Sequence, residues 1–95
     1  MRKYEIMLII DPSVDERQVP AMVDKHLLTI TNAGGTVDNI DIWGRRKLAY
    51  DIQKKSEGIY VVVNLTSAPA DVAELDRLLT IDEKVMRTKV LRTDV

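Results

Sequence analysis

The side chains most able to do chemistry in this chain are its cations. Their densest run is Arg45, Arg46 and Lys47, inside WGRRKLAY at residues 43–50. Further cations gather as Arg2 and Lys3 at the start, Lys54 and Lys55 after the first run, and Arg87, Lys89 and Arg92 near the end. Each group alone has an ordinary role, because charged edge strands discourage aggregation and lysine-rich turns are hydrated. Taken together they form a candidate phosphate-contact set that positions a protein on nucleic acid without reading sequence. The set comprises Arg2, Lys3, Arg45, Arg46, Lys54, Lys55, Arg87, Lys89 and Arg92.

Other chemistries lack their residues. There are no cysteines, which excludes a disulfide scaffold and thiolate chemistry and suits a cytosolic protein. His26 is the single histidine, with no second ligand at metal-binding spacing, and reads as a helix-packing or boundary residue. Asp71, Asp76, Asp82 and Glu83 read as solvated surface carboxylates rather than an acid–base site. No glycine-rich phosphate loop occurs, and DPSVDE after the first apolar run is acidic, so it would repel an anion. That argues against an acyl-phosphate hydrolase, and neither enzymatic activity nor a cofactor is expected.

The 95 residues make one domain, 1–95, with a modest core. The formal net charge is −1, whereas a protein that binds nucleic acid tightly by itself is usually strongly basic. The signs are segregated, however, so a basic surface is compatible with a neutral total. The apolar runs IMLII and IYVVVNL are strand-sized, too short to cross a membrane. The N-terminus has no small-residue cleavage site and is not read as a signal peptide.

The elements that must position the cations follow from periodicity. YEIMLII alternates with apolar residues on both faces, as a central strand does. Ser13 and Glu16 have capping-box spacing, and Pro20 either begins the helix proper or follows a looser turn. Val19, Met22, Val23, Leu27 and Ile30 then repeat at helical spacing until Asn32-Ala33-Gly34-Gly35. TVDNIDIWGRRKLAYDI reads as a strand bent or bulged at Gly44, with Ile40, Ile42, Leu48, Tyr50 and Ile52 keeping one phase across the glycine. QKKSEG is a turn and IYVVVNL the strongest strand. A second helix follows with Thr66 or Ser67 as cap, Pro69 in its first turn, and a stripe of Val72, Leu75, Leu78 and Leu79. VMRTKVLR closes the chain as a strand.

Strand, helix, strand, strand, helix, strand is the ferredoxin-like α+β arrangement. It implies a four-stranded antiparallel sheet with both helices on one face, the first and third strands central, and the second and fourth at the edges. The other face is open. RNA-recognition modules of this fold stack bases on aromatics there, but Ile59 and Val61 stand at the stacking positions of EGIYVVVN, so recognition of that type is not expected. If Tyr60 and Val62 face the helices, then Ile59, Val61 and Val63 join Met7 and Ile9, with Leu91 beside them, as an open apolar surface fit for a partner. The candidate partner residues are Ile42, Trp43, Leu48, Tyr50, Ile59, Val61 and Val63.

These residues resemble the bacterial small-subunit ribosomal protein numbered six, over essentially the whole chain. MRKYEIMLIIDP is similar to the family's opening, and the resemblance is most specific at Gly44, Arg46, Lys47, Leu48, Ala49, Tyr50 and Ile52. Gly58 ahead of its strand and VMRTKVLR also fit. Some members carry an acidic tail that can be polyglutamylated; the chain stops at Val95, so the resemblance does not extend to that modification. The resemblance implies a non-enzymatic component of the ribosome in the cytoplasm. It would bind central-domain 16S ribosomal RNA as a heterodimer with small-subunit ribosomal protein eighteen, with no membrane or small-molecule substrate. A basic partner would share the neutralisation of phosphate. The competing reading is a ferredoxin-like sensor or regulatory domain that homodimerises through its open face and binds a metabolite.

Overall fold

The alternation in YEIMLII becomes β1, Arg2–Ile10, and it sits inside the sheet as its two apolar faces require. In the computed structural model, which describes residues 1–93, β1 is followed by α1 (Val19–Asn32), β2 (Thr36–Ile52), β3 (Lys55–Ser67), α2 (Pro69–Ile81) and β4 (Val85–Arg92). Asp94 and Val95 lie outside the described residues. The four strands are ordered β2-β3-β1-β4, all pairings are antiparallel, and the fold is ferredoxin-like.

Helix starts differ in detail from the sequence expectation. A short 3-10 turn, Glu16–Gln18, precedes α1, and Pro20 lies in the first turn of the helix, where a missing N–H costs nothing. The Ser13–Glu16 capping box does not form. Instead Asp11 Oδ1 accepts from the Ser13 N–H at 2.8 Å, and Asp15 Oδ1 accepts from the Arg17 N–H at 2.9 Å. Neither Thr66 nor Ser67 caps α2: its N-cap is Ala68, and the Ser67 hydroxyl donates to the Ala68 carbonyl at 3.3 Å.

One side of the sheet carries the core. Tyr4, Ile6, Leu8 and Ile10 of β1 pack with Val19, Val23, Leu27 and Ile30 of α1 and with Val72, Leu75 and Leu79 of α2. The residues of β3 that join them are Ile59, Val61, Val63 and Leu65. This corrects the assignment of Ile59, Val61 and Val63 to an open partner surface; they are 0%, 0% and 1% exposed. The cause is register. Ile6 lies opposite Val63, Leu8 opposite Val61 and Ile10 opposite Ile59, and directly paired residues of antiparallel strands share a face. Tyr60 and Val62 therefore face away from the helices.

His26 on α1 confirms its boundary role. It is half-buried, and its Nε2 lies 2.7 Å from Oδ2 of Asp82, just beyond α2. Burial pushes the Asp82 carboxyl up, but the Lys84 backbone N–H at 2.9 Å and His26 pull it further down, so the net shift is below its ordinary value. A carboxylate whose folded pKa is depressed stabilises the fold above its unfolded pKa, and that contribution fades as pH falls through the folded value. Asp82→Asn should accordingly lower the melting temperature at neutral pH and flatten its decline below about pH 4, where unfolded aspartates protonate; thermal melts from pH 2 to 7 check this. Ile59→Ala should cost about 2–5 kcal/mol in urea unfolding, as deletion of a buried isoleucine does. A surface residue there would cost under about 0.5 kcal/mol.

Candidate RNA and protein interface

β2 is an edge strand of 17 residues whose pairing with β3 is interrupted three times, and these interruptions arrange the candidate site. Before the second, Ile40 pairs with Val63 and Ile42 with Val61, which puts both on the helix side. Between Ile42 and Gly44 an extra residue, Trp43, enters the strand, after which Gly44 pairs with Tyr60 and Arg46 with Gly58. One inserted residue reverses the alternation of everything beyond it. The expectation that Ile40, Ile42, Leu48, Tyr50 and Ile52 keep one phase is thus overturned. Gly44 adopts φ +83°, a conformation glycine reaches without the Cβ penalty.

Beyond this bulge the hairpin curls over the open face. Leu48, 8% exposed, packs with Ile9 and Met86, with Ile52 and Tyr60 against the cluster. Leu48 is therefore part of a small second core and is not available to a partner. Gly58 is required beneath it: a Cβ there would collide with Cγ2 of Ile9. At the hairpin tip Gln53 and Lys54 both have positive φ, 51° and 65°, the two-residue turn geometry that matches strand twist. Arg87 Nη1 donates to the Tyr50 hydroxyl at 2.6 Å and ties the hairpin to β4.

The nine candidate cations divide between surfaces. Arg46, Arg87 and Lys89 lie on the open face, since Arg87 pairs with Ile9 and Lys89 with Met7. Lys3, opposite Thr66, shares that face. Arg2 pairs with the buried Ser67 and Arg92 with Tyr4, which places them on the helix side. Arg45, opposite Ile59, also points that way, with its Nε 3.6 Å from Glu16 Oε1. Lys54 is in the turn, and Lys55 Nζ lies 3.8 Å from Asp11 Oδ1. The Ser13 backbone N–H and hydroxyl, then Lys55, hold the Asp11 carboxyl below its ordinary value against a smaller burial effect.

One residue of the open face, Tyr60, is absent from the sequence candidates, and it stands beside Trp43, which is among them as a partner contact. Tyr60 stands on central strand β3, and Trp43 lies parallel to it, with ring centroids 6.1 Å apart and planes within 2°. The Trp43 indole N–H donates to Asp41 Oδ2 at 3.0 Å. Trp43, Tyr60, Arg46 and Lys47 line a shallow depression of about 490 Å³, and Met7, Ile9, Tyr60, Arg87 and Lys89 line its neighbour of about 170 Å³. The signal for Tyr60 was present in the sequence. Ile59, Val61, Val63 and Leu65 are wholly aliphatic, whereas the alternate set turns polar at Asn64 and Thr66, so the first set belongs to the core.

On the helix side, Ile40 and Ile42 remain 36% and 38% exposed, and Leu28 on α1 is 52% exposed. A groove of about 250 Å³ runs beside them, lined by Asp24, Leu27, Leu28, Thr31, Val37 and Ile40. Among the described residues no cluster of three or more histidine, cysteine or acidic side chains could hold a metal. No helix among them is long and apolar enough to cross a membrane.

A ferredoxin-like sheet with one helix-covered face and one cationic, partly aromatic face places the chain among the small α+β proteins of that fold. Within it, the family model described as ribosomal protein S6 matches residues 3–92, and the chain belongs to that family. It is 67% identical over 95 residues to the small ribosomal subunit protein bS6 of Cutibacterium acnes, covering 100% of this chain and 99% of that one. The protein of the same name from Micrococcus luteus is 63% identical, with 99% and 93% covered. Among solved structures, 30S ribosomal protein S6 from Thermotoga maritima superposes with a TM-score of 0.88 at 30% identity, covering 97% of this chain and 87% of that one. The C-terminal domain of the MgtC protein from Mycobacterium tuberculosis, with a TM-score of 0.64 at 18% identity, shares the fold alone.

The curled hairpin yields its own test. Leu48→Ala should destabilise the fold by about 2–5 kcal/mol and accelerate amide hydrogen exchange in residues 48–56 more than in β1. Equal acceleration throughout would mean the hairpin does not open as a separate unit.

Proposed function

We propose that the chain is a structural, non-catalytic constituent of the small ribosomal subunit. In this reading it binds central-domain 16S ribosomal RNA together with small-subunit ribosomal protein eighteen, and so works in the cytoplasmic ribosome. Family membership supports the subunit assignment. The observation that carries the RNA contact is the placement of Lys3, Arg46, Arg87 and Lys89 on one uncovered sheet face. Phosphates held there would be neutralised by side chains on rigid strands. Arg45 and Lys55 lie beside Glu16 and Asp11 and have less charge to offer.

For the partner protein, the surface that remains after the core residues are removed is Ile42 with Ile40 and Leu28 on the helix side of β2. Tyr50, 62% exposed, extends the same strand toward β4. Edge strand β2 thus has apolar contacts on one side and cationic ones on the other. A basic partner seated beside it would add phosphate contacts that a chain of net charge −1 cannot supply alone.

Binding to central-domain RNA should be weak for the chain alone and tight with protein eighteen. Alanine at Arg46, Arg87 or Lys89 should each lower the log–log salt slope by about 0.7–0.9, whereas Arg45→Ala and Lys55→Ala should leave it nearly unchanged. Filter binding across a salt series checks this. Equal losses at all five positions would remove the open face from the account, and no binding even with the partner would remove the RNA reading.

A further inference from the structure

We propose that Trp43 and Tyr60 form a stacking site for an unpaired nucleobase of RNA, with Arg46 and Lys47 holding an adjacent phosphate. The proposal rests on the RNA-binding reading above and adds how one nucleotide is taken. Trp43 is the single tryptophan of the chain, and it is carried on the bulge at an edge strand with 43% of its surface exposed. Exposure of so large an apolar ring is unfavourable, and nothing in the hydrophobic clusters of the fold needs it. Its orientation is nonetheless fixed twice, by the parallel Tyr60 ring and by the bond from its indole N–H to Asp41.

A preset ring beside cations is what single-stranded nucleic acid uses. Bases of any identity stack on aromatic faces, while a positive groove follows the backbone. Tyr60 lines both depressions of the open face, so Arg46 and Lys47 on one side of it are continuous with Arg87 and Lys89 on the other. The larger depression, about 490 Å³, lies within the range of roughly 300–1,000 Å³ usual for small-ligand sites. Among the described residues no carboxylate lines either depression, and the nearby Asp41 already accepts a hydrogen bond from the indole N–H. This imbalance of charge favours an anionic polymer over a protein segment as the occupant.

Because the tryptophan is single, its fluorescence reads the site directly. Titrating the full-length protein with single-stranded oligoadenylate at low salt should quench Trp43 emission. An abasic oligonucleotide of equal length should bind without quenching. Trp43→Ala, followed through a fluorescent label on the oligonucleotide, should weaken binding about tenfold, while Trp43→Phe retains most of it and Arg46→Ala mainly lowers the salt slope. Absence of quenching at saturating oligoadenylate, or unchanged affinity in Trp43→Ala, overturns the stacking site. If protein eighteen buries Trp43 and excludes the oligonucleotide, the site belongs to a protein and the proposal is overturned. Neither result touches the reading it rests on, which fails only if central-domain RNA does not bind in the presence of the partner.

Discussion

The pairing of β1 with β3 is the constraint on which the rest of the structure depends. With Leu8 opposite Val61 and Ile6 opposite Val63, the two most apolar alternations in the chain fall on one face, and both helices have a single surface to cover. A slip of one residue would send the β3 aliphatics outward and bring Tyr60, Asn64 and Thr66 under the helices, with polar groups left without water. The register is therefore fixed by burial, and everything on the other face inherits it. Tyr60 is outside because Val61 must be inside.

The bulge at Trp43 is the second device, and it works through the first. A strand of 17 residues with unbroken alternation would leave Ile42 and Leu48 on the same side. The extra residue lets Ile42 stay with the helices while Leu48 seals against Ile9 and Met86 on the opposite face. The same insertion pushes a large aromatic out of the strand and aligns Arg46 with the open surface. One local irregularity thus produces a second small core, a curled hairpin and a cation-flanked ring pair.

Much of the fold was legible from periodicity. The six regular elements, the central position of β1 and β3, the helix end at Asn32 and the bend at Gly44 follow from apolar spacing and from glycine and proline chemistry. What was not legible was parity between strands. Residues of one strand alternate visibly, but which alternate of β3 joins which alternate of β1 depends on their register, so periodicity alone is equally compatible with Ile59, Val61 and Val63 facing outward. The polar turn of the other set at Asn64 and Thr66 could have decided it. The phase change in β2 was harder, because glycine marks a bulge without saying how many residues it adds. Of the candidate site, the cations were identified by type, while their division between two faces emerged only once the strands were paired.

The central claim is that the uncovered sheet face receives RNA while the helices keep to the core. Backbone amide chemical shifts, followed by NMR on the isotopically labelled chain in complex with protein eighteen as central-domain RNA is added, test it most directly. The expected shifts map to Lys3, Met7, Arg46, Tyr60, Arg87 and Lys89. Shifts confined to the exposed faces of α1 and α2, with those amides unmoved, would contradict the account.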